Sequence, residues 1–139
     1  MNLSVLRNNF KFLKSDIYIW FYPYDSSRKL LSKKEIKIAQ SLSLRSRKQF
    51  QFSRGCARMA LSGFFSIDPL NVPLHANPGQ APTLDNGLGH ISFSHCRDVF
   101  VMAWSRDEIG IDIENSKKKF INIDALYKYN LIEFHNYFH

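Results

Sequence analysis

The chain has 139 residues, 45% of them hydrophobic and 22% charged, a length that suits one domain and a composition that excludes a disordered chain. Its formal charge of +7, from 19 Lys and Arg against 12 Asp and Glu, favours anionic partners without choosing among nucleic acid, acidic protein, phosphorylated small molecule and membrane surface. No run approaches the ~20 apolar residues of a membrane span. The N-terminal MNLSVLRNNFKFLKSD lacks the long apolar core and small-residue cleavage site of a signal peptide. Cys56 and Cys96 have neither metal-knuckle nor disulfide-framework spacing. Together these features predict a cytoplasmic protein with reduced thiols and no membrane partner.

In chain order, IYIWFY (17–22) is β-branched and aromatic throughout and predicts a buried strand. PYDSSRK is a turn-rich loop. LLSKKEIKIAQSL predicts a helix with Ser32 as N-cap and Glu35 three residues on, the spacing of a capping box. The strongest helix is predicted over 45–65. At about 100° per residue, Phe50, Ala57, Ala60, Leu61 and Phe64 share one apolar arc, while Arg47, Arg54 and Arg58 form a narrow stripe beside it. Gly63 and the SIDP that follows mark its end. PLHANPGQAPTLDNGLG is rich in Pro, Gly and Asn and predicts mostly loop. HISFSHC begins a strand on which Ile91, Phe93 and His95 face one way and Ser92 and Ser94 the other. CRD turns the chain, VFVMAWS (99–105) is a second buried strand, and SRDE turns again into IGIDIE (109–114). The last stretch, NSKKKFINIDALYKYNLIEFHNYFH, has neither clean helical nor clean strand periodicity.

The acids of IGIDIE raise a chemical question. On a strand, residues two apart share a face roughly 6–7 Å from one another at ~3.3 Å per residue. Ile109, Ile111 and Ile113 therefore point into a core, and Gly110, Asp112 and Glu114 point away from it. Two like charges so close repel, and one tends to keep its proton; a divalent cation removes the conflict. Oxygen ligands on a rigid strand suit Mg²⁺, which also keeps waters and substrate phosphate oxygens. Taken alone, the same residues also read as an amphipathic strand with a wet acidic face. Three other features point to phosphate. FSHC (93–96) offers ring N–H and hydroxyl donors at a strand end. The Arg stripe offers guanidinium forks, although by itself it also reads as a solvated helix face. PGQAP (78–82) places a glycine where backbone can approach a ligand closely.

An Arg-rich helix, a Gly/Pro loop, a strand ending in Ser-His, a hydrophobic strand and then G-I-D-I-E: over roughly residues 17–116 this order resembles the 4′-phosphopantetheinyl transferase superfamily, in its larger, two-lobed type. The resemblance implies an α+β fold, a small antiparallel sheet packed against a long helix, equivalent to one lobe of that pseudo-dimer. Strands over about 17–22, 91–104 and 109–114 would form a three-stranded core. It divides the chain into an N-terminal lobe, 1–116, and an atypical tail, 117–139. It also implies Mg²⁺-dependent transfer of the phosphopantetheine arm of coenzyme A to a serine of an acyl or peptidyl carrier protein, with adenosine 3′,5′-bisphosphate as by-product. Asp112 and Glu114 would hold Mg²⁺ against the pyrophosphate, and His95 with Ser94 would contact a coenzyme A phosphate. Arg47, Lys48 and Arg54 would hold phosphates on the nucleotide side, and Gly79, Gln80 and Pro82 would lie along the nucleotide. Such chemistry needs charge neutralisation and alignment more than a covalent protein intermediate, and an acidic carrier protein would be drawn to a basic surface.

Three departures stand out. GQAP replaces the family's Gly-Lys-Pro turn, leaving Gln80 as a neutral substitute for lysine. Cys96 stands where a small hydroxyl residue is usual. The family's later W-x-x-K-E-A helix has no counterpart, since Trp20 and Trp104 both precede Asp112 and only 25 residues follow Glu114. The expectation is a truncated transferase, weak or inactive alone. The alternatives are a non-catalytic lobe that needs a second-half partner, and a basic nucleic-acid-binding module. The transferase reading itself includes no nucleic-acid partner.

Overall fold

The computed structural model describes the backbone of residues 5–8, 17–113 and 132–136, with side chains over 17–113. The chain divides into two compact units, one formed by Tyr24–Asn86 and the other by the segments on either side of it.

The flanking segments build the sheet unit. A four-stranded antiparallel sheet has the order β1 (Val5–Asn8), β2 (Ile17–Pro23), β6 (Val99–Ser105), β5 (His90–Cys96). β2 and β6 are central because their sequences are apolar on both faces. One face presents Ile17, Ile19, Val101 and Ala103; the other presents Trp20, Tyr22, Phe100, Met102 and Trp104, all buried. β5 and β6 form a hairpin with His95 opposite Phe100 and Phe93 opposite Met102. Arg97 adopts the left-handed conformation (φ 49°) that closes its two-residue turn. Gly89, just before β5, is required by a close approach. Its φ is +90°, and a Cβ there would lie 2.8 Å from the Ser105 carbonyl oxygen and from the Trp104 indole nitrogen.

β7 (Ile109–Ile113) departs from the expected three-stranded arrangement. It does not extend the four-stranded sheet; it pairs antiparallel with β8 (Ile132–Asn136), with Ile111 opposite Phe134. β8 lies within the stretch whose sequence shows no strand periodicity. Ile109, Ile111 and Ile113 do point inward as their alternation predicts, joining Ile17, Ile19, Val101 and Ala103 in one cluster. β7 is therefore a strand laid on the sheet's aliphatic face instead of a member of it.

The helical unit contains α1 (Lys33–Gln40) and α2 (Leu44–Phe65), then a 3₁₀ turn at Pro69–Asn71 and a short hairpin of β3 (Leu74–His75) and β4 (Thr83–Leu84). The capping box forms as its spacing predicts: the Ser32 hydroxyl accepts from Glu35 N at 3.2 Å, and Glu35 Oε1 accepts from Ser32 N at 2.9 Å. Phe50, Ala57, Ala60 and Leu61 of the predicted apolar arc are buried. The molecule is thus α+β, with a small antiparallel sheet and a long helix in different units. Among the described residues, no helix is long and apolar enough to cross a membrane.

Candidate functional site

The carboxylate motif sits on β7. Asp112 is exposed between the buried Ile111 and Ile113, which follows from the period of two on a strand whose other face is core. Glu114, the second acid of the motif, lies outside the described residues. What fixes β7 beside β5 is a pair of serines. Ser92 Oγ accepts from Ile111 N at 3.1 Å, and Ser94 Oγ accepts from Ile113 N at 3.0 Å. The two bonds advance together along both chains, so β7 runs beside β5 in the same sense. The hydroxyls thereby satisfy backbone donors that would otherwise be costly to bury.

Ser94 has a second role. Its hydroxyl, nearly buried, lies 3.2 Å from Asp112 Oδ1 and donates to it. The structure therefore brings together one residue from FSHC and one from GIDIE, 18 positions apart. His95, the neighbour of Ser94, projects from the opposite side of β5 by strand alternation. Its half-buried ring stacks on Phe100 at 5.1 Å and 30°. Ser94 and His95 thus serve different faces of the sheet.

The donor set at Ser94 and Asp112 is all oxygen, the kind hard cations take, and the Asp112 side chain is open to solvent on a well-supported strand. Such a carboxylate could supply one oxygen of a Mg²⁺ site. Among the described residues no three His, Cys, Asp or Glu side chains converge on a site that could hold a metal ion.

The residues expected on the nucleotide side belong to the helical unit, where several have structural partners. Arg47 donates from Nε to the Ala39 carbonyl at 2.9 Å and from Nη2 to the Leu42 carbonyl at 3.1 Å. It thereby closes the C-terminal end of α1, where helix carbonyls lack partners and a cation is favoured. Arg54 grips the Ala76 carbonyl with Nε and Nη2 at 2.8 and 2.6 Å, and its guanidinium lies 4.5 Å from the Phe50 ring centre. Burial pulls its pKa down to about 10. Arg58 donates to Glu35 Oε1 at 2.6 Å and to the Pro69 and Val72 carbonyls. Arg54 and Arg58 are only 9% and 4% exposed, so the reading of this stripe as a solvated face is corrected. Two of its three arginines are interior struts that tie α2 to α1 and to the segment 69–76.

Lys48 is exposed. Gly79, at φ +76° with open space around it, and Gln80, whose N–H donates to the Asn77 carbonyl at 3.1 Å, form an exposed turn. Pro82 follows, half-buried, and leads into β4. The turn lies between β3 and β4, clamped at its base by His75 and Asp85 at 2.6 Å.

The sequence reading missed two of these roles. Ser92 supports β7 as Ser94 does, and the S-x-S spacing was a usable signal for two hydroxyls on one face. Glu35 is both a cap and the acid of a buried ion pair, and no local pattern announces the second role. The sequence matches no protein-family model, and no curated protein matches it.

Proposed function

We propose that the chain is a lobe of a Mg²⁺-dependent 4′-phosphopantetheinyl transferase, acting on coenzyme A and an acyl or peptidyl carrier protein. The observation that carries this reading is the contact between Ser94 and Asp112. Two motif segments that suggested the family from their order alone meet side chain to side chain. Asp112 presents a carboxylate outward from a strand that is buried on its other side, and the Ser94 hydroxyl steadies one of its oxygens. In this reading Asp112, with Glu114 by resemblance, holds Mg²⁺, and a bound ion offsets charge on the pyrophosphate. The Ser94 hydrogen bond keeps that carboxylate in place, which matters because phosphoryl-type transfer depends on alignment and charge neutralisation.

Arg47 and Arg54 are not counted as phosphate donors, because their guanidinium groups already hold backbone carbonyls. Lys48 is the exposed cation that remains of the three. The family's Lys-Glu helix has no counterpart in these 139 residues, so this chain by itself is expected to bind coenzyme A more readily than to turn it over. The test incubates the chain with apo carrier protein, coenzyme A and Mg²⁺ and weighs the carrier. Slow or partial gain of the phosphopantetheine mass, abolished by Asp112→Asn, supports the reading. Rapid full labelling keeps the transferase and overturns its weakness alone; labelling unaffected by Asp112→Asn overturns the site.

A further inference from the structure

The helical unit carries a surface that the Ser94–Asp112 contact does not explain. The loop 24–31, Ile36 of α1 and Lys48, Gln51 and Phe52 of α2 line an open cavity of about 760 Å³. Tyr24 and Phe52 meet within it at a 60° tilt, ring centres 5.0 Å apart. Tyr24, Leu30 and Ile36 are 42%, 46% and 46% exposed, so three large apolar side chains gather at the rim of one cavity. The loop is seated firmly. Lys29 Nζ is 3.0 Å from Asp25 Oδ1 and 5.3 Å from the Phe52 ring centre. The stem of Lys29 occupies the space that Gly55 leaves, where an added Cβ would come within 2.1 Å of Lys29 Cβ. The cavity is therefore preformed.

Charge around it is one-sided. Both acids between residues 24 and 52 are engaged, Asp25 with Lys29 and Glu35 with Arg58. Arg28, Lys33, Lys34, Lys37, Arg45 and Lys48 are exposed and form no ion pair among the described residues. Lys33 and Lys37 flank Ile36 on α1, and Arg45 stands one turn before Lys48 on α2.

We infer that this groove docks an acidic amphipathic helix of a partner protein. Apolar side chains one turn apart on that helix enter the cavity between Tyr24, Leu30 and Ile36, and carboxylates beside them meet the lysines and arginines. A nucleic-acid backbone would use the cations and leave the apolar cavity empty. The inference does not need the transferase reading, and its test contains neither coenzyme A nor Mg²⁺.

The probe is a fluorescent synthetic helix with leucine on one face and glutamate on the other, titrated into the whole chain and followed by anisotropy. Two variants are measured, Arg28→Glu with Lys48→Glu, and Ile36→Gln, each checked for native circular dichroism. The expected result is saturable binding that weakens roughly tenfold or more with the charge reversals and with added salt, and that weakens separately with Ile36→Gln. Three results overturn it: equal affinity for a scrambled peptide of the same composition, no change with either variant, or tighter binding of a single-stranded oligonucleotide of equal charge.

Discussion

Arg54 and Arg58 on α2 and Asp112 on β7 all come from charged patterns beside apolar ones, yet the two regions use charge in opposite ways. On α2 the stripe borders the apolar arc, and the segments that follow the helix return over it. The guanidinium groups are enclosed and satisfied by Glu35 and by the carbonyls of residues 69, 72 and 76. On β7 the alternation is strict, so burying three isoleucines turns Asp112 fully outward. A charge at the border of a buried helical face is easily absorbed into structure. A charge alternating with core residues on a strand has nowhere to go but solvent. A functional reading belongs to the second kind.

The comparison breaks most severely at Arg58. Replacing it with alanine leaves Glu35 buried without its partner and should cost about 3–5 kcal/mol, seen as a lower urea midpoint. A loss below ~1 kcal/mol would place this pair among surface ion pairs and undo the contrast. Ser94→Ala comes next. It removes the acceptor of Ile113 N–H and the donor to Asp112 and should cost about 1–3 kcal/mol, with faster amide exchange at Ile113 as the local sign. Unchanged exchange there would mean that the hydroxyl does not hold β7. The smallest effect is at Asp25. Its bonds from the Ser27 hydroxyl and the Lys29 ammonium hold its carboxyl down to about 2, against an ordinary 3.8. A depressed acid stabilises the folded form above its ordinary value, and that contribution is lost as pH falls from 3.8 toward 2. Asp25 is well exposed, so the readout is an NMR titration, in which Ser27→Ala should move the carboxyl back up.

Much of the fold is legible in the sequence wherever the deciding interactions are local. Ser32 and Glu35 are three residues apart, so the capping box is readable directly. β2, β5, β6 and the burial of alternate isoleucines follow from composition and period. The partner of β7 is not readable. A short strand with one apolar face satisfies that face equally by joining a sheet or by lying on one, and the choice rests on Ser92, Ser94 and β8, which are distant in the chain. The arginine stripe fails for a similar reason. Spacing puts Arg54 and Arg58 on one side of α2, but whether phosphate, water or protein carbonyls meet them depends on the path of residues 66–76. For the candidate site, the sequence assigned Ser94 and Asp112 to their faces; their meeting at 3.2 Å depends on β5 and β7 running side by side. Alternation also put His95 and Ser94 on opposite faces of β5, as the structure does; it was the resemblance that assigned both to one phosphate.

On the proposed reading, Asp112 anchors coenzyme A through a metal ion. Isothermal titration of coenzyme A into the whole chain, with Mg²⁺ and then with chelator, tests it against Asp112→Asn. That variant should change stability by no more than about 0.5 kcal/mol, because the side chain is exposed. The proposed role predicts Mg²⁺-dependent binding that weakens at least about tenfold in the variant, or roughly 1.4 kcal/mol. Binding of equal strength in both proteins, or none in the native chain with Mg²⁺ present, would contradict it.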